Sequence, residues 1–313
     1  MNFVTFENMN DCIYKNLNKI PRDIDLVVGI PRSGMLPANI IALYLNLPFT
    51  DIDSFLDNRK LKVGNTRKCK NWITMPQQAQ KVLVVDDSIS SGKAIRDVKK
   101  QIKEYNISSK CVFLAVYALE TNIMMVDIFL EICHHPRMFE WNYMHHWGLE
   151  YSCVDIDGVL CEDPTFIQND DGRRYAEFLE NATPKIIPTK KINTLVTCRL
   201  EKYRKETEDW LNKQGVMYDN LVMLSETNSR ERALNIDHGK YKGEVYKKSP
   251  CILFIESDYE QAIRICEVSK KEVFCVANRK LITPDNFMAH VKILESNWKI
   301  TAKRVVKKIL KKL

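Results

Sequence analysis

Asp86 and Asp87 stand together at the end of an apolar run, Val82 to Val85, and are followed by Ser88-Ile89-Ser90-Ser91-Gly92. The run reads as a strand buried on both faces, because both alternating sets of side chains are apolar. Ile95, Val98 and Ile102 then recur at helical spacing. Small residues where a strand feeds a helix expose backbone N–H groups at a positive dipole end, which makes a cradle for an anion. Two acids beside such a cradle would repel a bare phosphate, whereas a ribose ring fits both: its hydroxyls donate to Asp86 and Asp87 while its 5-phosphate lies in the turn. An ordinary strand–turn–helix with acids as caps stands equally on this segment alone. A Walker-type loop is excluded, since the chain has Asp87 where the first glycine belongs and Ala94 where Ser or Thr must follow Lys93. A second pair, Asp155 and Asp157, closes the apolar stretch Tyr151 to Val154, and strand alternation puts both on one side. Taken alone, that pair could equally be two acids in a glycine turn or part of a calcium loop.

The segment from Val82 to Ala94 resembles the diphosphate-sugar binding motif of type I phosphoribosyltransferases, which use 5-phosphoribosyl-1-diphosphate (PRPP) as donor. The family pattern is two acids, three residues, Thr-Gly, one residue and Thr; here Ser91 replaces the first Thr and Ala94 the second. About fifty residues upstream, the buried run Asp25 to Ile30 leads into Pro31-Arg32-Ser33-Gly34, which resembles the family's diphosphate loop. The resemblance implies PRPP binding by Arg32, Ser33, Gly34, Asp86, Asp87, Ser88, Ser90, Ser91, Gly92 and Lys93, with Asp86 and Asp87 catalytic. It further implies a hood between Asp51 and Gln80, where Arg59, Lys60, Lys62, Arg67, Lys68 and Lys70 crowd around Gly64. Such a hood excludes water from an oxocarbenium-like transition state. Direct displacement of an α-diphosphate would invert to a β linkage.

Asp155-Ile156-Asp157-Gly158-Val159 resembles the first motif of the haloacid dehalogenase superfamily of phosphatases. The resemblance implies Asp155 as nucleophile and Asp157 as the acid that protonates the leaving oxygen and then activates water. It continues with Thr197 at the end of Leu195 to Arg199 as a phosphate-binding hydroxyl, with Lys242 chosen over Lys240 and Lys247, and with Glu256-Ser257-Asp258 after the buried run Cys251 to Ile255. Mg2+ is the implied cofactor, held by Asp155, Asp157 and Glu256 or Asp258. The short stretch between the first motif and the next strand implies a small cap and an open site.

The elements needed to position these groups define the expected fold: α/β, with two doubly wound, parallel-sheet (Rossmann-like) domains in tandem and a basic amphipathic C-terminal helix. The expected boundaries are 1–148, 149–297 and 298–313. Cys111 to Tyr117 and Val126 to Ile132 read as further strands of the first sheet, and Glu201 to Gln214 as a helix of the second domain. His134, His135, His145 and His146 fall close together, but no carboxylate or thiolate set accompanies them, which argues against zinc and for an acceptor side or a domain junction.

The 313 residues contain ten cysteines, none spaced as CxxC, and an N-terminus with no signal-peptide pattern, so a cytoplasmic protein with buried free thiols is expected. Its net charge of +7 comes entirely from the tail after Asn297, which carries seven cations and no acid. There Ala302, Val305, Val306, Ile309, Leu310 and Leu313 share one helical arc, which suits either self-docking or the inner face of a membrane. No reading motif or aromatic platform points to nucleic acid.

The expectation that unites these features is a bifunctional enzyme. It would transfer 5-phosphoribose from PRPP to an acceptor, a bacterial surface-polysaccharide glycan, then remove the 5-phosphate to leave β-ribofuranose. Phosphoribosylation of a nucleobase-like small molecule followed by dephosphorylation is the alternative enzyme reading, and a PRPP-sensing regulatory module the alternative of another class.

Overall fold

The structure is a computed structural model that describes residues 1–62, 73–169, 171–225 and 237–296. The expected hood residues Gly64, Arg67, Lys68 and Lys70 and the basic tail lie outside the described residues. The chain divides into two compact units, one Asn2–Trp141 and one beginning at Asn142.

The first unit runs β1 (Asn2–Val4), α1 (Phe6–Lys15), β2 (Leu26–Gly29), α2 (Met35–Leu45), β3 (Phe49–Asp51), α3 (Ile52–Leu56), β4 (Lys81–Ile89), α4 (Lys93–Glu104), β5 (Lys110–Ala118), β6 (Ile128–Ile132) and β7 (Arg137–Phe139). Five strands form an all-parallel sheet in the order β3-β2-β4-β5-β6, and β1 pairs with β7 in a separate parallel ribbon. The alternation of β4 explains the two layers. Leu83 and Val85 enter a core with Met9, Ile13 and Ile41 from α1 and α2, while Val82 and Val84 enter another with Phe55, Ile95 and Val98 from α3 and α4. The chain opens with β1, and α1 starts only after Thr5, whose side chain accepts from Asn8 N–H in a capping box.

Strand β4 is longer than its apolar run. Asp86, Ser88 and Ile89 pair with Ala115, Tyr117 and Ala118 of β5, so both acids sit within the ladder rather than after it. Backbone pairing is indifferent to side-chain charge, and hydropathy therefore stops short of the strand end. Gly92, at φ 68°, turns the chain into α4.

The second unit contains β8 (Ser152–Val154), α5 (Arg173–Asn181), β9 (Ile192–Leu200), α6 (Arg204–Lys213), β10 (Tyr218–Leu224), α7 (His238–Lys248), β11 (Leu253–Glu256), α8 (Tyr259–Ser269), β12 (Val273–Cys275) and β13 (Lys280–Ile282), with 287–296 helical. Its sheet order is β10-β9-β8-β11-β12-β13, parallel except for the last pair. Both units are thus α/β with Rossmann-like parallel sheets. The helix expected over Glu201 to Gln214 opens with a 3-10 turn, Glu201–Tyr203, before α6.

Read from the sequence, Lys242 opens a helix, KGEVYKK; helix α7 instead begins a turn earlier, at His238, where Asp237 caps it by accepting from Lys240 N–H at 2.8 Å. Lys242 therefore lies inside the helix, not at its start. The glycines of this helix serve close packing: a Cβ on Gly239 would stand 2.6 Å from Arg264, and one on Gly243 2.8 Å from Val268, both on α8. No helix among the described residues is long and apolar enough to cross a membrane.

Candidate active sites

In the first unit, the loop Pro31-Arg32-Ser33-Gly34 follows β2 and lies beside the acids on β4. Its Pro31–Arg32 peptide is cis. Gly34 packs so closely that a Cβ there would stand 2.6 Å from Ile30 O and 2.8 Å from Val85 O. This contact brings Ser33 to Asp87, where its hydroxyl donates to Oδ1 at 2.9 Å. Asp87 Oδ2 accepts from Trp141 Nε1–H at 2.7 Å, and Asp86 Oδ1 accepts from Asp87 N–H at 2.9 Å. Both acids are buried, 7% and 5% exposed. Burial, reinforced by the neighbouring Asp87 charge, pushes the Asp86 carboxyl up to about 8.

Arg32 is exposed in its loop, and Ser90, Ser91 and Lys93 are exposed in the turn before α4. Ser91 Oγ accepts from Lys93 N–H at 3.3 Å, whereas the Lys93 amine points along the helix surface to Asp97, 3.2 Å away. Ser88 is partly buried on β4. The Arg32 loop, the acid pair and the Ser88–Lys93 turn therefore meet at one end of the sheet, while the Lys93 amine is turned along α4.

In the second unit, Lys242 Nζ stands between two buried acids, 2.7 Å from Asp155 Oδ2 and 2.8 Å from Glu256 Oε2. Asp155 Oδ1 accepts from Ile156 N–H, and Glu256 Oε1 from the N–H groups of Ser257 and Asp258. Burial and the Glu256 charge push the Asp155 carboxyl upward against the pull of Lys242. Burial would lower the Lys242 amine, but Asp155 and Glu256 outweigh it and hold the amine above its ordinary value.

Asp155, Asp157, Thr197, Lys242 and Asp258 line one cavity of about 590 Å³. Glu256 is fully buried and does not line that cavity, whereas Asp258 lines it while capping α8 through Gln261 N–H at 2.8 Å. Thr197 is fully buried within β9, which runs on three residues past it, and its hydroxyl accepts from Arg199 N–H at 3.2 Å.

Two residues of this site carried no role in the sequence. Arg199, fully buried, forks onto Asp157 with Nη2 2.6 Å from Oδ1 and Nε 3.1 Å from Oδ2. An arginine alternating with Thr197 in an apolar strand needs a buried anion, and that is the signal from which its role could have been read. Asp163 also lines the cavity, and burial and the Asp157 charge push its carboxyl up.

Among the described residues, no three His, Cys, Asp or Glu side chains are assembled as a metal-holding group. The histidines are dispersed: His135 Nε2 is 3.3 Å from Ser90 Oγ, His145 Nδ1 is 3.0 Å from Thr189 Oγ1, and His146 Nδ1 accepts from Gly148 N–H.

Residues 5–122 match the family model of the phosphoribosyl transferase domain. Over 116 residues, 37% of this chain, the sequence is 29% identical to the transcriptional regulator GfcR of Methanococcoides burtonii, of whose length it covers 55%. Among solved structures, the chain is similar to Helicobacter pylori xanthine-guanine-hypoxanthine phosphoribosyltransferase, with 18% identity, 45% of this chain and 90% of that one covered, and TM-score 0.34. It is also similar to the purine phosphoribosyltransferase of Pyrococcus horikoshii, with 17% identity, 45% and 94% covered, and TM-score 0.32. Residues 5–122, which contain the Arg32 loop, the Asp86–Asp87 pair and the turn to Lys93, form a domain of the phosphoribosyl transferase type.

Proposed function

We propose that the chain is a bifunctional enzyme: the first unit transfers 5-phosphoribose from PRPP to an acceptor, and the second removes the 5-phosphate. The observation that carries this reading is one chain joining the matched domain, with its acid pair intact, to a cavity where Asp155, Asp157, Thr197 and Lys242 converge. In the first unit, Asp86 and Asp87 accept the ribose hydroxyls, the Ser88–Lys93 turn cradles the 5-phosphate, and Arg32 faces the departing diphosphate. In the second, an Asp155 oxygen attacks phosphorus and the ribose 5-oxygen departs with a proton from Asp157. Water then cleaves the aspartyl-phosphate, with Asp157 taking its proton. Asp157 must rotate out of the Arg199 fork to reach the leaving oxygen.

Mg2+ suits the second-unit cavity as part of this reading. Asp155, Asp157 and Asp258 offer hard oxygen donors on one cavity, and Lys242 neutralises only one of the two acids it touches. Bound Mg2+ supplies charge neutralisation of the transferring phosphoryl group. A plain ribofuranosyl product suits a glycan acceptor, and a cytoplasmic protein, working at the inner face of a membrane, suits glycan assembly; a nucleobase-like acceptor is the smaller alternative.

The test is incubation with PRPP, Mg2+ and candidate acceptors, read by mass. Asp155→Asn should accumulate a product heavier than the wild-type product by one phosphate. An unchanged product mass would refute the sequential scheme. The relative of 29% identity favours a second reading, a PRPP-sensing module that binds without turnover. PRPP binding with no diphosphate release for any acceptor would select it.

A further inference from the structure

The stretch from His134 to Trp141, which the proposed reaction leaves without a role, is tied to the ribose-phosphate turn at several points. Buried Arg137 donates from Nη2 to Ile89 O at 2.8 Å, just before the turn, and from Nη1 to Cys133 O at 3.1 Å. His135 reaches Ser90, as described above. The stretch ends on Trp141, whose ring stacks on Phe139 with centroids 4.8 Å apart and planes at 17°, and meets Phe6 at 5.7 Å. So held, the indole N–H is aimed at Asp87 Oδ2, the oxygen that Ser33 leaves open.

Resting on the reading that the first unit binds PRPP, we propose that Trp141 is a positioning residue that fixes Asp87 for the ribose hydroxyls, making the His134–Trp141 stretch part of the PRPP site. A carboxylate gripped at one oxygen by Ser33 alone rotates about its Cβ–Cγ bond. A second donor on the other oxygen, from a different element, fixes the plane in which the remaining lone pairs face the ligand. Each of those oxygens keeps a lone pair for a ribose hydroxyl while remaining bonded to the protein. Diphosphate does not depend on this plane, because it is held by the Arg32 loop.

The experiment is calorimetric titration of the full chain with PRPP, ribose 5-phosphate and inorganic diphosphate, each with Mg2+. Trp141→Phe keeps a ring for Phe139 and removes the donor. It should weaken PRPP and ribose 5-phosphate about tenfold, as expected for one hydrogen bond to a charged group, and leave diphosphate within about twofold. Trp141→His, which restores a ring N–H, should recover part of the ribose affinity. Equal losses for all three ligands, no loss, or a lowered melting temperature without ligand selectivity would each overturn the inference. Failure of the wild-type chain to bind PRPP at all would overturn the PRPP reading itself, and this inference with it.

Discussion

Asp86→Asn should stabilise the ligand-free protein while abolishing PRPP consumption. Asp86 is 7% exposed, its carboxyl rises to about 8 in the folded chain, and the ordinary value is 3.8. A group raised on folding contributes stability that is fully present below its unfolded value and is lost as pH rises through the folded one. For Asp86 the window is therefore pH 3.8 to about 8. At pH 7 the folded protein must take up a proton that the unfolded chain has released, at a cost of about 4 kcal/mol; at pH 5 the cost is about 2 kcal/mol. Asparagine does not titrate, and its Oδ1 can still accept from Asp87 N–H. Titrating groups away from Asp86 are common to both proteins and cancel in the difference. Urea unfolding at pH 5, 6, 7 and 8 should thus show the variant more stable, with a gap that widens with pH and flattens above about pH 8. A gap that is constant across this range, or a variant less stable than wild type at pH 7, would refute the reasoning. Stability gained with activity lost would mark a residue kept for ligand chemistry rather than for folding.

Lys242→Met should strip two buried carboxylates of their shared partner and lower the stability of the second unit by about 3 to 5 kcal/mol, read by urea unfolding at pH 7. Part of that loss should return as pH falls below 7, because the Asp155 carboxyl is already held above its ordinary value and loses in Lys242 the charge that opposes its burial. Gly34→Ala forces a Cβ against Ile30 O and Val85 O, so the loop must shift. We expect a loss of about 1 to 3 kcal/mol in stability and at least about tenfold weaker diphosphate binding, as expected when an N–H contact to a charged group is misplaced, measured by thermal melts and calorimetric titration.

Much of the fold is written locally. Runs such as Val82–Val85 and Leu253–Ile255 are apolar on both alternating faces, and only a parallel sheet covered on both sides satisfies them. The Ser88–Gly92 turn and the Asp155-Ile156-Asp157-Gly158 segment likewise display their chemistry within a few residues, because strand alternation and turn geometry act over that range. The tertiary structure decided what depends on distant partners. Strand β4 runs on to Ile89 because β5 pairs with it, which no hydropathy pattern records. Of three candidate lysines, Lys242 stands at Asp155 because Asp237 starts α7 early and Gly239 and Gly243 let it pack tightly. Glu256 is sealed beneath Lys242, while Asp258 lines the cavity. Arg199 on Asp157 and Trp141 on Asp87 join residues 42 and 54 positions apart. Sheet order brings such pairs together, and a buried charge then holds whichever partner the packing places within hydrogen-bond reach.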